Sequence, residues 1–133
     1  MSGSELQLSA DELARMADLC QASSSQYFSV DLDFSGASLA LVDALIEKAW
    51  PKGDPDAATW LTWGSYLGEV LVRTLGGEWR VAPLVVNSEV ALAGGAVVVR
   101  PFEEVHHRFH RRPGYELTTR YEELLSEIRQ HSH

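Results

Sequence analysis

The residue types best suited to chemistry in this 133-residue chain are concentrated in PFEEVHHRFHRR, residues 101–112. If this stretch is helical, Glu103, His106 and His110 share one flank, at a spacing that lets a single helix offer ligands to a metal ion. The other flank carries three arginines, whose forked guanidinium groups bind carboxylates and phosphates: Arg108, Arg111 and Arg112. The stretch therefore has three interpretations: a metal site, a surface that binds an anion or an acidic partner, or a solvated helix.

The metal site is the weakest of these interpretations. One helix rarely completes a coordination sphere, and the only other histidines near the end of the chain are His131 and His133. The arginine flank is the better candidate for a binding site, and solvation is the simplest explanation of both flanks. We therefore predict that the chain has no metal or other cofactor.

A second candidate acid, Glu69, lies in WGSYLGEVLVRTLGGEWR, residues 63–80. On a helix that turns by about 100° per residue, Glu69 falls with Ser65 and Arg73 on a narrow polar stripe opposite a broad apolar face. We therefore predict that Glu69 is exposed and forms an ion pair with Arg73 that is worth only a few tenths of a kcal/mol. The alternative is a catalytic acid, which would require Glu69 to face a cleft.

Two glycines of the same helix, Gly64 and Gly68, need a separate explanation. Each glycine in a helix interior costs up to about 1 kcal/mol relative to alanine, so their presence predicts that another element packs closely against the backbone. A tryptophan or a strand could fill that space. The alternative is a groove that accepts a ligand or a partner's side chain. We favour internal packing, because a small domain needs its central helix buried.

Other groups capable of catalysis have simpler explanations. Asp31 and Asp33 could act as a carboxylate pair, but charged residues on a strand more often keep an exposed face soluble. Cys20 lies on an apolar helix stripe, so we expect it to be buried and unreactive. The sequence contains no motif of a serine hydrolase, a nucleotide-binding loop, a zinc protease or a calcium loop. These observations weigh against an enzyme.

The charge of the chain is acidic and unevenly distributed. The net charge is −8 at pH 7; residues 1–60 hold ten acidic and three basic residues, whereas residues 61–133 hold nine and eight. Such a surface disfavours nucleic acid and anionic membranes as partners. No stretch is apolar enough to span a bilayer and no signal-type segment is present, which predicts a cytoplasmic protein.

The elements that must position these groups follow from hydrophobic periodicity. Five helices are predicted. The first runs from the Ser9–Glu12 capping box into SSSQ (23–26), the second covers 39–49, and the third is capped by Asp54 and Pro55 and closed by Gly76–Gly77. The fourth begins at Pro101, and the fifth covers 117–128 after the Pro113–Gly114 break. A strand is predicted over 28–34. Three or so short antiparallel strands are predicted from the segments 79–81, 84–86, 90–92 and, after a Gly94–Gly95 turn, 96–99. About five helices around a small, mainly antiparallel sheet of three to four strands describe an α+β fold, which we expect to form one domain over residues 1–133.

Three segments carry a resemblance to a known group of proteins: LDFSGASLALVDALI, WGSYLGEVLVRTLGGEW and VVVRPFEEVHHRF. Together they resemble small uncharacterised bacterial proteins, frequent in actinomycetes, that share a G-x-Y-L-G-E-V … L-G-G-x-W helix and a later Pro-Phe-x-x-Val segment. The resemblance covers about residues 30–125. It implies no activity, cofactor or catalytic residue, since none is established for the group. Some relatives look like modules found near secretion and toxin systems, which implies an adaptor or immunity role.

These observations favour a non-catalytic module that binds a protein partner, either as a monomer or as a homodimer. The alternative is a small hydrolase or a metal-dependent enzyme that uses Glu69, Asp33, His106 and His110. The two hypotheses predict different structures. An enzyme needs those groups to converge in a cleft, whereas a binding module leaves them scattered and exposes an apolar patch elsewhere.

Overall fold

The computed structural model describes residues 8–50, 56–110 and 115–131. Within these ranges the helices are α1 (Ala10–Phe28), α2 (Ser38–Ala49), α3 (Ala57–Leu75), α4 (Pro101–Phe109) and α5 (Leu117–Gln130). The strands are β1 (Glu78–Arg80), β2 (Glu89–Leu92) and β3 (Val97–Val99), and two short 3₁₀ turns cover Val85–Asn87 and Ala93–Gly95. The predicted α+β class is therefore confirmed.

The three strands form one antiparallel sheet in the order β1-β2-β3. Trp79 pairs with Val90, and Leu92 pairs with Val97 across the turn that joins β2 to β3. Gly94 and Gly95 in that turn have φ angles of 66° and 97°, a left-handed conformation that glycine adopts without a steric penalty. The turn predicted at these two glycines is thus confirmed.

Helix α3 lies at the centre of the molecule. It packs most extensively against α1 and α4, and it also contacts β1 and β2. Every residue from Trp63 to Leu71 is buried, so both sides of the helix are covered. A single hydrophobic core joins α3 to residues of the other helices and of the sheet, including Ala17 of α1, Leu39 of α2 and Leu124 of α5.

The strand predicted over 28–34 is wrong. Helix α1 continues through SSSQ to Phe28 and ends at Ser29, whose φ of 56° is left-handed. The next residues do alternate in burial, because Leu32 and Phe34 are buried and Asp31 and Asp33 are exposed. Their backbone groups bond to side chains instead of a strand: the Gln21 amide donates to the Leu32 carbonyl at 2.5 Å, and the Phe34 N–H donates to the Tyr66 hydroxyl at 3.0 Å.

One predicted strand and one predicted helix cap also differ from the structure. Residues 84–86 do not form a strand: Leu84 is exposed, and Val85–Asn87 is a 3₁₀ turn. Asp56 caps α3 by accepting the Thr59 N–H at 2.8 Å, whereas the predicted cap, Asp54 with Pro55, lies outside the described residues. The capping box of α1 is confirmed, as are Pro101 in the first turn of α4 and Gly76 at the end of α3.

No helix in the described part of the chain is both long and apolar enough to cross a bilayer.

Candidate functional site

Glu69 is buried, so its predicted exposure is wrong. Its relative exposure is 5%. One carboxylate oxygen accepts the Nε–H of Arg73 at 2.8 Å, and the other accepts the indole N–H of Trp79 at 2.8 Å. The predicted pair with Arg73 is present, but Trp79 of β1 also bonds to the Glu69 carboxylate, which a helical wheel places in solvent. Both oxygens of this carboxylate are therefore engaged by the chain itself.

Arg73 connects Glu69 to two other parts of the fold. Its guanidinium carbon lies 3.8 Å from the centroid of the Phe34 ring, a cation–π distance. Its Nη2 also lies 3.4 Å from the carboxylate of Asp18 on α1. This arginine thereby ties α3 to α1 and to the segment that follows α1.

The two glycines of α3 face aromatic rings of the same chain. A Cβ at Gly64 would overlap the ring of Phe102, and a Cβ at Gly68 would overlap the indole of Trp79. The two rings also pack on each other, with their centroids 6.1 Å apart. This is the internal packing predicted for the glycine pair, and it leaves no open groove at either position.

Arg108 is buried, so its predicted place on a solvated flank is wrong. Only 6% of its side chain is exposed. Its Nε donates to Asp43 Oδ1 at 2.8 Å, and its Nη2 donates to the Asp43 carbonyl at 3.0 Å and to Glu47 at 3.2 Å. Arg111 and Arg112, the other members of the predicted flank, lie outside the described residues.

Asp43 is the centre of a buried polar network that our sequence analysis missed. Besides Arg108, its carboxylate accepts the N–H of Leu117 at 3.0 Å, the N–H of Thr118 at 3.1 Å and the Thr118 hydroxyl at 2.9 Å. Asp43 on α2 thus caps the first turn of α5 from a distance in sequence. The sequence does contain an indication of this network. Asp43 lies four residues after Leu39 on the apolar stripe of α2, and an acid at such a position predicts a buried partner.

The residues proposed as metal ligands are not arranged as a ligand set. Among the described residues, no group of three or more His, Cys, Asp or Glu side chains could hold a metal ion. The rings of His106 and His110 instead pack on each other, with centroids 4.1 Å apart, and His110 Nδ1 lies 2.9 Å from the carbonyl of His106. The local geometry is that of stacked rings on a helix surface.

Glu103 and His106 do line a pocket, which we call the Trp60 pocket. It has a volume of about 360 Å³ and lies between α3, the 85–87 turn and α4. The other side chains that line it are Trp60, Val86, Asn87, Arg100 and His107. The Trp60 indole N–H donates to the Phe102 carbonyl at 2.6 Å, and the Trp60 and His106 ring centroids are 5.4 Å apart. The chemically rich start of 101–112 therefore converges on a pocket.

A second surface feature is an apolar groove between the end of α1 and α2, which we call the α1–α2 groove. Tyr27, Phe28 and Leu41 line it and are 72%, 42% and 43% exposed. The groove has a volume of about 320 Å³ and is also lined by Ser29, Val30, Ala44, Leu45 and Lys48. The sequence predicts a strand that begins at Phe28, and the groove arises because α1 instead continues to that residue.

The remaining candidate groups are held in unreactive settings. Cys20 is buried as predicted, and burial raises the pKa of its thiol to about 12. Burial also raises the pKa of Tyr66, whose hydroxyl bonds to Ser38 at 2.7 Å. Asp33 is exposed, and hydrogen bonds from the Ser35 hydroxyl and N–H lower the pKa of its carboxyl.

Comparison with known proteins adds a family but no function. A family of unknown function (DUF6278) matches residues 3–114, in agreement with the expected resemblance to uncharacterised proteins. No curated protein matches the chain. No solved structure matches it either.

Proposed function

We propose that this chain, which belongs to the family of unknown function DUF6278, acts as a non-catalytic protein-binding module of the adaptor or immunity type. The observation that carries the proposal is the α1–α2 groove, where Tyr27, Phe28 and Leu41 are exposed together. Large apolar side chains that cluster on a surface mark sites of association. Aromatic residues at the centre of such a patch supply much of the binding energy of protein interfaces.

The charge around the groove indicates the chemistry of the partner. Asp31 follows the groove residue Val30 and is exposed, and residues 1–60, which include every residue that lines the groove, hold ten acidic and three basic residues. Among the described residues, Lys48 is the one basic residue that lines the groove. The partner we propose is a protein segment with an apolar face flanked by lysine or arginine, because charge complementarity speeds encounter and selects partners.

The enzyme hypothesis receives no comparable support from the geometry. Glu69 is buried with both oxygens bonded, and Asp33 is exposed and bonded to Ser35. Neither of them lines the Trp60 pocket, which contains His106. The groups named for catalysis are therefore distributed over separate places.

The first step of the test is a photo-crosslinking amino acid placed at Tyr27, which identifies the partner. That partner is then purified separately, and its binding to the chain is measured by calorimetry. We expect Leu41→Asp to weaken the dissociation constant at least tenfold, or about 1.4 kcal/mol, because it places a charge in the apolar contact. The matched control is Leu84→Asp, which alters an exposed leucine that does not line the groove and should leave affinity unchanged.

Three outcomes would contradict the proposal. One is the absence of any crosslinked partner at Tyr27. Another is a crosslink to a second copy of this chain, which would make the groove a homodimer interface. The third is an equal loss of affinity in Leu41→Asp and Leu84→Asp.

A further inference from the structure

The Trp60 pocket is separate from the α1–α2 groove, and the proposed function does not use it. Its lining comes from α3, from the 85–87 turn and from α4, so it lies where three elements meet. At about 360 Å³ it falls within the size range of small-molecule sites in proteins. A pocket of this size suits a compact ligand.

One wall of the pocket is aromatic and fixed in place. The indole N–H of Trp60 donates to the Phe102 carbonyl at 2.6 Å, which holds the orientation of the ring. The ring of His106 lies beside it, with a centroid distance of 5.4 Å and an angle of 50° between the planes. A ligand that stacks on this wall meets a surface that does not need to be ordered on binding, which favours a planar ring.

The rim of the pocket carries the groups that recognise an anion. The Arg100 side chain is 52% exposed, and its one described ion pair is a 3.4 Å contact from its Nε to Glu89. An exposed pair of this length is weak, so the guanidinium retains donors for a carboxylate or phosphate oxygen. Asn87 lies in the same pocket and can both donate and accept hydrogen bonds.

Glu103 limits the charge of the ligand. Its carboxylate lines the same pocket as Arg100, so the pocket does not have the uniformly basic lining that a polyanion requires. A carboxylate can instead accept an N–H from the edge of a heteroaromatic ring. The pocket thus combines a stacking wall, a hydrogen-bonding edge and one cationic group.

We propose that the Trp60 pocket binds a small planar heteroaromatic molecule that carries one acidic group. The ring stacks on Trp60, the polar edge of the ring meets Asn87 and Glu103, and the acidic group meets Arg100. Nucleoside monophosphates and heteroaromatic carboxylates share this chemistry, and a pair of probes separates them: adenosine 5′-monophosphate and nicotinate.

The test is calorimetric titration of the full chain with each probe, together with adenosine and ribose 5-phosphate. We expect at least one of the two acidic heteroaromatic probes to bind. Binding of the nucleotide should weaken at least tenfold when either the phosphate or the base is removed. In nuclear magnetic resonance spectra, the indole N–H signal of Trp60 should shift more than the signals of Trp50, Trp63 and Trp79.

The variant that tests the anion contact is Arg100→Gln, with Arg129→Gln as its matched control. Both arginines are exposed, but Arg129 lies on α5 and does not line the pocket. We expect Arg100→Gln to weaken probe binding at least tenfold and Arg129→Gln to leave it unchanged. Leu41→Asp in the groove should also leave it unchanged, which keeps this result independent of the proposed protein partner.

Two results would overturn the inference. The first is the absence of binding by both acidic probes at millimolar concentration. The second is an equal weakening in Arg100→Gln and Arg129→Gln, which would show that only the net charge of the chain matters.

Discussion

At the scale of single residues, the donors around a carboxylate decide what it can do. The carboxylate of Glu69 accepts one hydrogen bond from Arg73 and one from Trp79, each on a different oxygen, and only 7% of its side chain is exposed. A carboxylate bonded in this way links α3 to β1, and each of its oxygens is already engaged within the fold. The helical wheel correctly placed Glu69 beside Arg73. It failed on burial because a wheel represents one helix and contains no information about a ring that arrives from β1.

The first residue-scale prediction concerns the removal of this charge. Glu69→Gln should lower the free energy of unfolding by about 1–3 kcal/mol, since it leaves Arg73 without its closest carboxylate and one donor poorly matched. This range is below that of a fully buried pair because 38% of the Arg73 side chain is exposed. Denaturant unfolding measures the change, and the midpoint should fall with an unchanged slope.

Glu78→Gln is the matched control, because Glu78 is an exposed glutamate on the neighbouring strand. We expect it to change stability by less than about 0.5 kcal/mol. If Glu69→Gln is equally mild, the two hydrogen bonds contribute little and Glu69 is available for another role.

At the scale of elements, the periodicity of the sequence predicted which residues are buried more reliably than it predicted their partners. The alternation over 28–34 is real in the burial of Leu32 and Phe34, yet this segment pairs with none of the strands in the described residues. An alternation of buried and exposed residues indicates an extended chain with one buried face. In this segment the side chains of Gln21 and Tyr66, instead of a neighbouring strand, form hydrogen bonds with the backbone. The Asp43 cap of α5 was missed for a related reason: its donors lie more than seventy residues away in sequence.

The element-scale prediction concerns the attachment of α5. Asp43→Ala should destabilise the fold by about 3–5 kcal/mol, because it leaves the buried guanidinium of Arg108 without its main partner and removes the cap of α5. Hydrogen exchange should rise first in α5, around Leu117 and Thr118, whereas the centre of α3 should stay protected.

Glu47→Ala provides the control for this prediction. Glu47 also pairs with Arg108, at 3.2 Å, but 58% of its side chain is exposed, so we expect a loss of less than about 1 kcal/mol. Uniform exchange throughout the molecule in Asp43→Ala, with no early opening of α5, would show that the network does not hold this helix specifically.

At the scale of the whole molecule, the fold class could be predicted because it depends on the order of periodic segments, which the sequence displays directly. The α1–α2 groove and the Trp60 pocket could not be predicted in the same way, because each is formed by side chains from separate elements. The groove also depends on where α1 ends, at Phe28. The match to DUF6278 stops at residue 114, but Leu117 and Leu124 of α5 belong to the same core as α1 to α4.

That shared core leads to the last prediction, which is that the molecule unfolds in one step. Cys20 of α1 is 2% exposed, and its pKa of about 12 keeps the native thiol protonated and slow to react with a disulfide reagent at mildly alkaline pH. Trp63 of α3 is 4% exposed and reports the centre of the core by fluorescence. Because α1 packs extensively against α3, Cys20 labelling and tryptophan fluorescence should give the same midpoint in denaturant. Labelling of Cys20 at a lower denaturant concentration than the fluorescence change would instead mean that α1 separates first, and the groove beside Phe28 would then belong to the least stable part of the fold.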